Sequence, residues 1–427
     1  MLGYDSCIDS QIPYVGLIPS HWKVVQNKRV MHKEKRICSS YSGEDILSLT
    51  MNGVVIRNLD AGGKMPTTFD GYQFVYPGEL LMCLFDIDVT PRCVGRVNNM
   101  GLTSPAYSSF VLHKNADLGY FYYYYLMLDH TKELLHLAKN LRHSLTEEQL
   151  GQIYVPLPPL MEQRTMALYL DEKVERIDFL ISEAKASIEE YKSWRASIIY
   201  EAVTKGLDPN VEMKDSGVEW IGKIPVGWNV RKLKQLISEA LQYGANETGL
   251  EYDESLPRYI RITDVDSNGN LKKEGKLSLP EEVASDYVLE DGDILFARSG
   301  GTVGKAFYYK AEYGKAAFAG YMIRAKVDAK IIDPKLVYFA TLAANYNDWK
   351  STVMTQATIQ NIGANKYNEF YIVVPEKEKQ TILVNYIEEK TKEIDNIISE
   401  KEALIVDLEA YKKSLIFEVV TGKRRVV

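Results

Sequence analysis

A segment near the start of this chain recurs about two hundred residues later, and this duplication constrains the fold more than any other feature of the sequence. DSQIPYVGLIPSHWKVV at residues 9–25 returns as DSGVEWIGKIPVGWNVR at residues 215–231. At a constant offset of 206, the identical pairs are Asp9/Asp215, Ser10/Ser216, Gly16/Gly222, Ile18/Ile224, Pro19/Pro225, Trp22/Trp228 and Val24/Val230. Since internal repeats fold as repeated structural units, we expect two related modules.

A second set of identities places a shared segment at the end of each module. At an offset of 217, the identical pairs are Pro158/Pro375, Gln163/Gln380, Ile177/Ile394, Asp178/Asp395, Ile181/Ile398, Ser182/Ser399, Glu183/Glu400, Ser197/Ser414, Glu201/Glu418, Val203/Val420 and Thr204/Thr421. The two offsets differ by eleven residues, so the second globular half is longer than the first by that amount. Each module is therefore predicted to consist of a variable globular half followed by a shared helical half.

The shared segments carry the heptad pattern of long amphipathic helices. In the first copy, every seventh position from Leu170 is apolar or small: Ile177, Ala184, Tyr191 and Ile198. Most of the matching positions of the second copy are apolar as well: Ile387, Ile394, Leu408 and Leu415. Lys401 interrupts the second series once, and charged residues fill the opposite face. Such helices bury their apolar stripe against a partner, either in unrelated bundles or, as we favour, against each other as a coiled coil. A helix of about 45 residues is about 65 Å long, longer than one turn of B-DNA at about 34–36 Å.

The globular halves combine helix and strand signals, so the predicted fold class is α+β. GDILFARSGGTVGKAFYY from Gly292 is typical of a strand, a glycine-rich turn and a second strand, whereas FYYYYLMLDH from Phe121 suits a buried helix or strand. The predicted domains are residues 1–157 and 207–374 for the globular halves, and residues 158–206 and 375–427 for the helical segments.

Four duplicated or distinctive motifs together resemble the specificity subunit of type I restriction-modification systems. They are IPxxW (residues 18–22 and 224–228), GDILFARSGGTVGKA (292–306), the closing motifs IYVPLPPLMEQ (153–163) and IVVPEKEKQ (372–380), and the helix ends IIYEAVTKG (198–206) and LIFEVVTGK (415–423). The resemblance implies two target-recognition domains, each reading half of a bipartite site in double-stranded DNA, and two antiparallel helices that separate them. It also implies two adenine-N6 methyltransferase subunits as partners, then restriction subunits, with no chemistry in this chain.

Candidate DNA-binding residues follow from side-chain chemistry and position in the repeat. Arginine, amide and hydroxyl side chains can reach base edges, and cationic groups can reach phosphates. The glycine-rich turn offers Arg298, Ser299, Thr302 and Lys305, and Arg92 and Arg96 are the corresponding candidates of the first half. The segments before the closing motifs offer Asn140, Arg142 and Ser144, and Gln356, Gln360 and Asn361. Arg57, Arg258 and Arg261 are phosphate candidates, although Arg261 beside Asp264 could simply form an ion pair.

The charge of the chain does not favour nucleic acid by itself. The formal net charge is -7, whereas small DNA-binding domains are often basic. If DNA is the ligand, basic residues must gather on one face while the acids lie elsewhere. The four cysteines lack metal-ligand spacing, so neither a metal site nor a disulfide framework is expected. No targeting or membrane-spanning segment is evident, which predicts a cytoplasmic protein without membrane contact.

Catalytic motifs do not appear in the sequence. SGGTVGK departs from a P-loop because Ser299 stands where glycine is needed and Ala306 where serine or threonine is needed. No Asn-Pro-Pro-aromatic motif and no Gly-x-Gly strand end suggest an adenosylmethionine site. We therefore expect no cofactor in this chain and S-adenosylmethionine on the partner methyltransferase. Two alternatives remain: a fused methyltransferase or nuclease, and a coiled-coil adaptor that binds only protein.

Overall fold

Short strands and a few helices make up the first globular half. The computed structural model of the chain describes residues 4–61, 66–136, 138, 143–266, 269–354 and 361–426. The strands of this half are β1 (Cys7–Asp9), β2 (Leu17–Pro19), β3 (Lys23–Gln26), β4 (Met31–Glu34), β5 (Leu47–Thr50), β6 (Gly53–Ile56), β7 (Gln73–Val75), β8 (Leu80–Met82), β9 (Val94–Arg96), β10 (Gly101–Thr103), β11 (Ser108–Leu112) and β12 (Tyr154–Leu157). Its helices are α1 (Leu118–Thr131) and α2 (Glu147–Gln152), and the long helix α3 (Leu160–Lys205) follows.

The second globular half has the same kind of composition. Its strands are β13 (Met213–Asp215), β14 (Lys223–Pro225), β15 (Asn229–Lys232), β16 (Gln242–Tyr243), β17 (Leu250–Glu251), β18 (Arg258–Ile260), β19 (Leu277–Ser278), β20 (Ile294–Ala297), β21 (Ala306–Tyr308), β22 (Ala316–Phe318), β23 (Met322–Ala325) and β24 (Tyr371–Val374). Its helices are α4 (Glu281–Ala284), α5 (Pro334–Ala340), α6 (Tyr346–Val353) and α7 (Ala364–Asn368), and the long helix α8 (Lys377–Val420) follows. The fold class is therefore α+β.

The chain divides into two compact units. The first comprises Met1–Lys185 and Glu402–Val427, and the second comprises Ala186–Lys401. The long helices lie close to the predicted helical segments 158–206 and 375–427, and each contributes one part to the first unit and the other to the second.

In each unit, a four-stranded sheet holds the turn on which predicted contact residues lie. In the first unit the strand order is β4-β11-β8-β9, and in the second it is β16-β23-β20-β21, with a further sheet of order β17-β19-β18-β22.

The tyrosine-rich segment of the first unit is the helix α1, whose start is capped by Asp117 accepting a hydrogen bond from the Tyr120 amide at 3.1 Å. Tyr120, Phe121 and Tyr124 are fully buried, so α1 lies inside the core of the first unit.

The duplicated motifs at the two ends of each globular half pair as antiparallel strands. β3 pairs with β12, with Val25 opposite Val155, and β15 pairs with β24, with Val230 opposite Val373. The tryptophan before each opening strand is buried, Trp22 in the first unit and Trp228 in the second. The sequence identities therefore correspond to a common frame that closes each globular half.

One buried glutamine in each copy ties this frame together. In the first unit, Gln163 Oε1 accepts a hydrogen bond from the Asp117 amide at 2.8 Å, and its Nε2 donates to the carbonyls of Pro158 and Asn115 at 2.8 and 3.1 Å. In the second unit, Gln380 makes the matching bonds to the Asp333 amide at 2.8 Å and to the Pro375 and Ile331 carbonyls, both at 3.1 Å. The pairs Pro158/Pro375 and Gln163/Gln380 recur because they perform the same structural task.

The long helices pack against each other in antiparallel fashion within each unit. In the first unit, Ile177 and Ile181 of α3 share a core with Leu415 and Val419 near the end of α8. In the second unit, side chains from the end of α3 and from the beginning of α8 share a core. They are Ile199, Ala202 and Val203 of α3, and Leu383, Val384 and Ile387 of α8. The heptad seam is buried at most positions, but flanking Trp194 and Leu404 are 54% and 49% exposed. The packed area is thus narrower than the sequence pattern suggests.

The interruption at Lys401 has a structural explanation. Its ammonium lies 5.7 Å from the ring centroid of Tyr191, where the negative face of the ring favours a cation. Ion pairs also join the helices, Lys412 with Asp178 at 2.6 Å in the first unit and Arg195 with Asp395 at 3.3 Å in the second. Among the described residues, no helix is both long and apolar enough to cross a bilayer.

Candidate nucleic-acid interface

The turn between β20 and β21 holds the densest group of predicted contact residues. Gly300 and Gly304 have φ angles of +79° and +83°, a conformation that side-chain-bearing residues rarely adopt. A Cβ at Gly304 would also collide with the side chain of Lys350. The two glycines therefore let the turn fold back tightly, with Arg298 at its beginning and the exposed Lys305 at its end.

Arg298 is held in place but has no acidic partner among the residues that the structure describes. Its amide donates to the Tyr321 carbonyl at 3.0 Å, and its own carbonyl accepts from the Ile362 amide at 2.8 Å. The guanidinium carbon lies 4.9 Å from the ring centroid of Tyr243, while the buried Nε lacks a hydrogen-bond partner within the described chain. Because Nε is covered by the protein, a planar acceptor pair such as a guanine edge would have to be bound by the terminal nitrogens of this guanidinium.

Two predicted groups that are far apart in sequence meet at this turn. Ser299 and Asn361 form an antiparallel bridge, which brings the amide of the segment before β24 beside the glycine-rich turn. Asn361 is exposed, and Tyr321 exposes 66% of its surface next to the Arg298 backbone. An arginine, a hydroxyl, an amide and aromatic rings thus share one small surface.

Lysines add positive charge at the far side of the turn. Lys305 and Lys350 both line a cavity of about 270 Å³ beside Gly304, as does Asp266, and neither lysine forms an ion pair within the described ranges. Burial and the Lys305 ammonium lower the pKa of Lys350. An anion that binds between the two ammonium groups would relieve their mutual repulsion.

The first unit does not place equivalent residues on its turn. β8 pairs Met82 with Val94, as β20 pairs Phe296 with Ala306, so Leu84 occupies the position of Arg298. Leu84 is buried at 6% exposure. The turn therefore presents a different surface in the first unit.

Both arginines predicted near the first turn are engaged by the protein. Arg92 Nε donates to the Val94 carbonyl at 3.1 Å, and its terminal nitrogens donate to the Met51 carbonyl and the Tyr122 hydroxyl. Arg96 forms a bidentate ion pair with Asp171 at 2.6 and 3.2 Å. DNA contact by either residue stays a prediction, and it requires these bonds to open.

The remaining predicted residues are dispersed. Arg261 pairs with the buried Asp264 at 2.7 Å, in keeping with the ion-pair alternative, and Arg258 donates to the Lys272 carbonyl at 2.8 Å. Arg57 is half-buried after β6, Ser144 is partly buried before α2, and Thr302 lies partly buried within the glycine-rich turn. Asn140, Arg142, Gln356 and Gln360 lie outside the described residues.

Sequence reasoning missed three residues of this surface, Tyr243, Tyr321 and Lys350. Tyr243 lies in β16 and Lys350 in α6, each about fifty residues from Arg298 along the chain, and no local motif marks them. Within the described part of the chain, no group of three or more His, Cys, Asp and Glu side chains is arranged to hold a metal ion.

Comparison with known proteins identifies the family. Residues 95–190 and 225–405 match the family model described as the type I restriction modification DNA specificity domain, which is more than half of the chain. The chain belongs to the type I restriction-modification specificity family.

Two relatives match parts of this chain, and a solved structure shares its fold. This family member is 24% identical over 242 residues to the specificity subunit of type I restriction enzyme StySPI from Salmonella potsdam, covering 56% of this chain and 50% of that protein. It is 32% identical over 148 residues to the MjaVIII specificity subunit from Methanocaldococcus jannaschii, covering 34% of this chain and 32% of that protein. The matches thus span half or less of these relatives. A chain from a solved type I restriction-modification assembly shares the fold with a TM-score of 0.69 at 13% identity, covering 94% of this chain and 98% of that chain.

Proposed function

We propose that this chain is the non-catalytic subunit that reads DNA for a type I restriction-modification complex in the cytoplasm. Each globular half reads one part of a bipartite site in double-stranded DNA. Helices α3 and α8 carry two methyltransferase subunits, with restriction subunits joining the assembly. S-adenosylmethionine binds on the methyltransferase partners, and this chain performs no chemistry.

The observation that carries the proposal is the contrast between a duplicated frame and unlike turns. Gln163 and Gln380 make matching bonds in the two frames, whereas Arg298 in one turn corresponds to the buried Leu84 in the other. Two modules with one architecture and different surfaces suit two different half-sites. The cluster of Arg298, Ser299, Asn361, Lys305 and Lys350 also answers the difficulty raised by the net negative charge, because the cations gather locally.

Salt dependence of DNA binding tests this proposal directly. We expect the chain with its methyltransferase partner to bind duplex DNA with an affinity that falls steeply as salt rises, because phosphate contacts release counterions. Lys305→Gln and Lys350→Gln should each lower the slope of log affinity against log salt by about one unit. A gel-shift or anisotropy titration at several salt concentrations measures this slope.

Lys310→Gln is the matched control, because it also removes one positive charge from an exposed lysine. Unlike Lys305 and Lys350, Lys310 pairs with an acid, Glu312, at 3.4 Å. Its slope should equal that of the parent. The absence of any salt-dependent DNA binding would contradict the proposal and favour the alternative in which the chain is a coiled-coil adaptor that binds only protein. Adenosylmethionine binding by the purified chain alone would favour the enzyme.

A change in helix length tests whether α3 and α8 set the separation of the half-sites. Inserting one heptad into both helices keeps the apolar seam in register and adds about 10 Å of rise, or about three base pairs of DNA. We expect methylome sequencing of a host with the longer variant to reveal the same two half-sites with a longer gap. An unchanged gap would refute this role of the helices.

A further inference from the structure

Lys350 of α6 is half-buried and has no acidic partner within the described ranges. Its ammonium lies 5.3 Å from the ring centroid of Tyr346. The nearby Lys305 ammonium lowers the pKa of Lys350 further than burial does alone, which shows that the two charges act on each other. Charged groups that leave water are usually paired, because an unpaired ion loses hydration without compensation. The lysine pair is therefore a place where a bound anion would stabilise the protein.

Both lysines lie on the wall of one cavity of the second unit. Its volume is about 270 Å³, and Arg195 of α3 is part of the same wall. The Ala344 amide, also on the wall, donates to the Ala196 carbonyl of α3 at 3.1 Å and so holds the helix in place there. Because about 150 Å³ is enough to hold benzene, this cavity has room for a phosphate group and part of a sugar.

The cavity carries positive charge although an acid also lines it. Asp266 is on the wall, where its Oδ1 accepts a hydrogen bond from the Asn270 amide at 2.8 Å. Arg195 pairs through Nε with Asp395 of α8 at 3.3 Å. Even when both acids are counted, the arginine and the two lysines outnumber them. An anionic ligand is thus favoured over a cationic one.

The first unit has no lysine at the matching position. The registers of β8 with β9 and of β20 with β21 place Cys93 where Lys305 lies in the second unit. Cys93 is 1% exposed, and its amide donates to the Asp129 carboxylate at 2.7 Å. The second unit thus has an exposed cation where the first has a buried thiol beside an acid, so an anion contact here is expected in one unit only.

We propose that this cavity binds one phosphate group between the Lys305 and Lys350 ammonium groups, with Arg195 beside them. Phosphate is the anion that the position favours, because Lys305 ends the same glycine-rich turn that begins with Arg298. In the complex proposed above, on which this step rests, the DNA backbone next to the second half-site supplies the phosphate. A phosphorylated small molecule is the other source of the same group.

Protection of Lys350 from acetylation tests the site in the whole chain. Its lowered pKa leaves more of the amine neutral, so acetic anhydride should acetylate it, and mass spectrometry follows this residue by itself. We expect inorganic phosphate at about twice its Kd to slow this acetylation about threefold relative to chloride of equal ionic strength, because the free fraction falls as 1/(1 + [L]/Kd). Lys310, which pairs with Glu312, should react at an unchanged rate.

Lys305→Gln tests whether the second ammonium takes part. Lys305 is exposed, so the variant is expected to fold. It should raise the Kd for inorganic phosphate about tenfold, as expected when one hydrogen bond to a charged group is lost. Lys310→Gln should keep the Kd of the parent. Each variant is compared with its own acetylation rate in chloride, because the loss of Lys305 also removes its effect on the pKa of Lys350.

Duplex DNA distinguishes the two sources of phosphate. With the methyltransferase partner present, the cognate duplex should protect Lys350, and a neutral methylphosphonate should remove this protection at one backbone position beside the second half-site. Protection by inorganic phosphate that a bound duplex does not reproduce would support the site and assign it to a phosphorylated small molecule.

The proposal is overturned if inorganic phosphate protects Lys350 no better than chloride, if it protects Lys310 equally, or if Lys305→Gln binds phosphate as the parent does. A chain that binds phosphate at Lys350 but no DNA would instead contradict the proposed function while supporting this site.

Discussion

Replacing Arg298 by alanine should weaken binding of the assembled complex to its DNA site by about 10- to 100-fold, or about 1–3 kcal/mol. Methylation of that site should fall accordingly. The physical reason is that the Arg298 guanidinium is oriented over the Tyr243 ring and has no ion-pair partner in the described structure, so its terminal nitrogens are expected to bind an acceptor on DNA. Anisotropy titration with the cognate duplex, together with a methylation assay, measures both effects.

Two further variants identify the kind of contact that Arg298 makes. Arg298→Lys retains the charge but loses the planar fork, so it should preserve affinity for unrelated DNA while losing preference for the cognate site. Lys310→Ala removes one charge from the same unit and should leave the preference unchanged. If Arg298→Ala instead prevents assembly with the methyltransferase subunits, the turn has a structural role and the DNA contact is wrong.

Replacing Gln163 by alanine should destabilise the first unit by about 3 kcal/mol or more, because buried backbone groups at Asp117, Asn115 and Pro158 lose their partner. Gln380→Ala should do the same in the second unit through Asp333, Ile331 and Pro375. Hydrogen-deuterium exchange followed by mass spectrometry separates the two effects, since it reports protection peptide by peptide. Each variant should accelerate exchange in its own unit by about a hundredfold where exchange requires that unit to open.

Gln152→Ala is the matched control for this comparison. Gln152 is exposed at the end of α2, and such a change is expected to alter the free energy of unfolding by less than about 0.5 kcal/mol. Equal exchange rates in the parent and both glutamine variants would show that the bonds of Gln163 and Gln380 do not hold the frame together.

The repeat and the heptads predicted the frame because both are properties of sequence order. Identical residues at a constant offset indicate positions with the same task, as the bonds of Gln163 and Gln380 illustrate. A seven-residue apolar period likewise indicates a helix face, and Ile177, Ile394 and Leu415 are buried accordingly. Trp194 shows where the inference ends, because periodicity does not tell how wide the partner surface is.

The sequence by itself determined that two similar modules, each closed by a long amphipathic helix, make up this chain, and that the resemblance to specificity subunits extends over both. Only the tertiary structure decided what the arginines contact. Arg96 meets Asp171 across 75 positions of the chain, whereas Arg298 stacks on Tyr243 and lies beside the Ser299–Asn361 bridge. The physical reason is that ion pairing and stacking depend on distance in space, and residues far apart in sequence become neighbours only when the sheets and helices have packed.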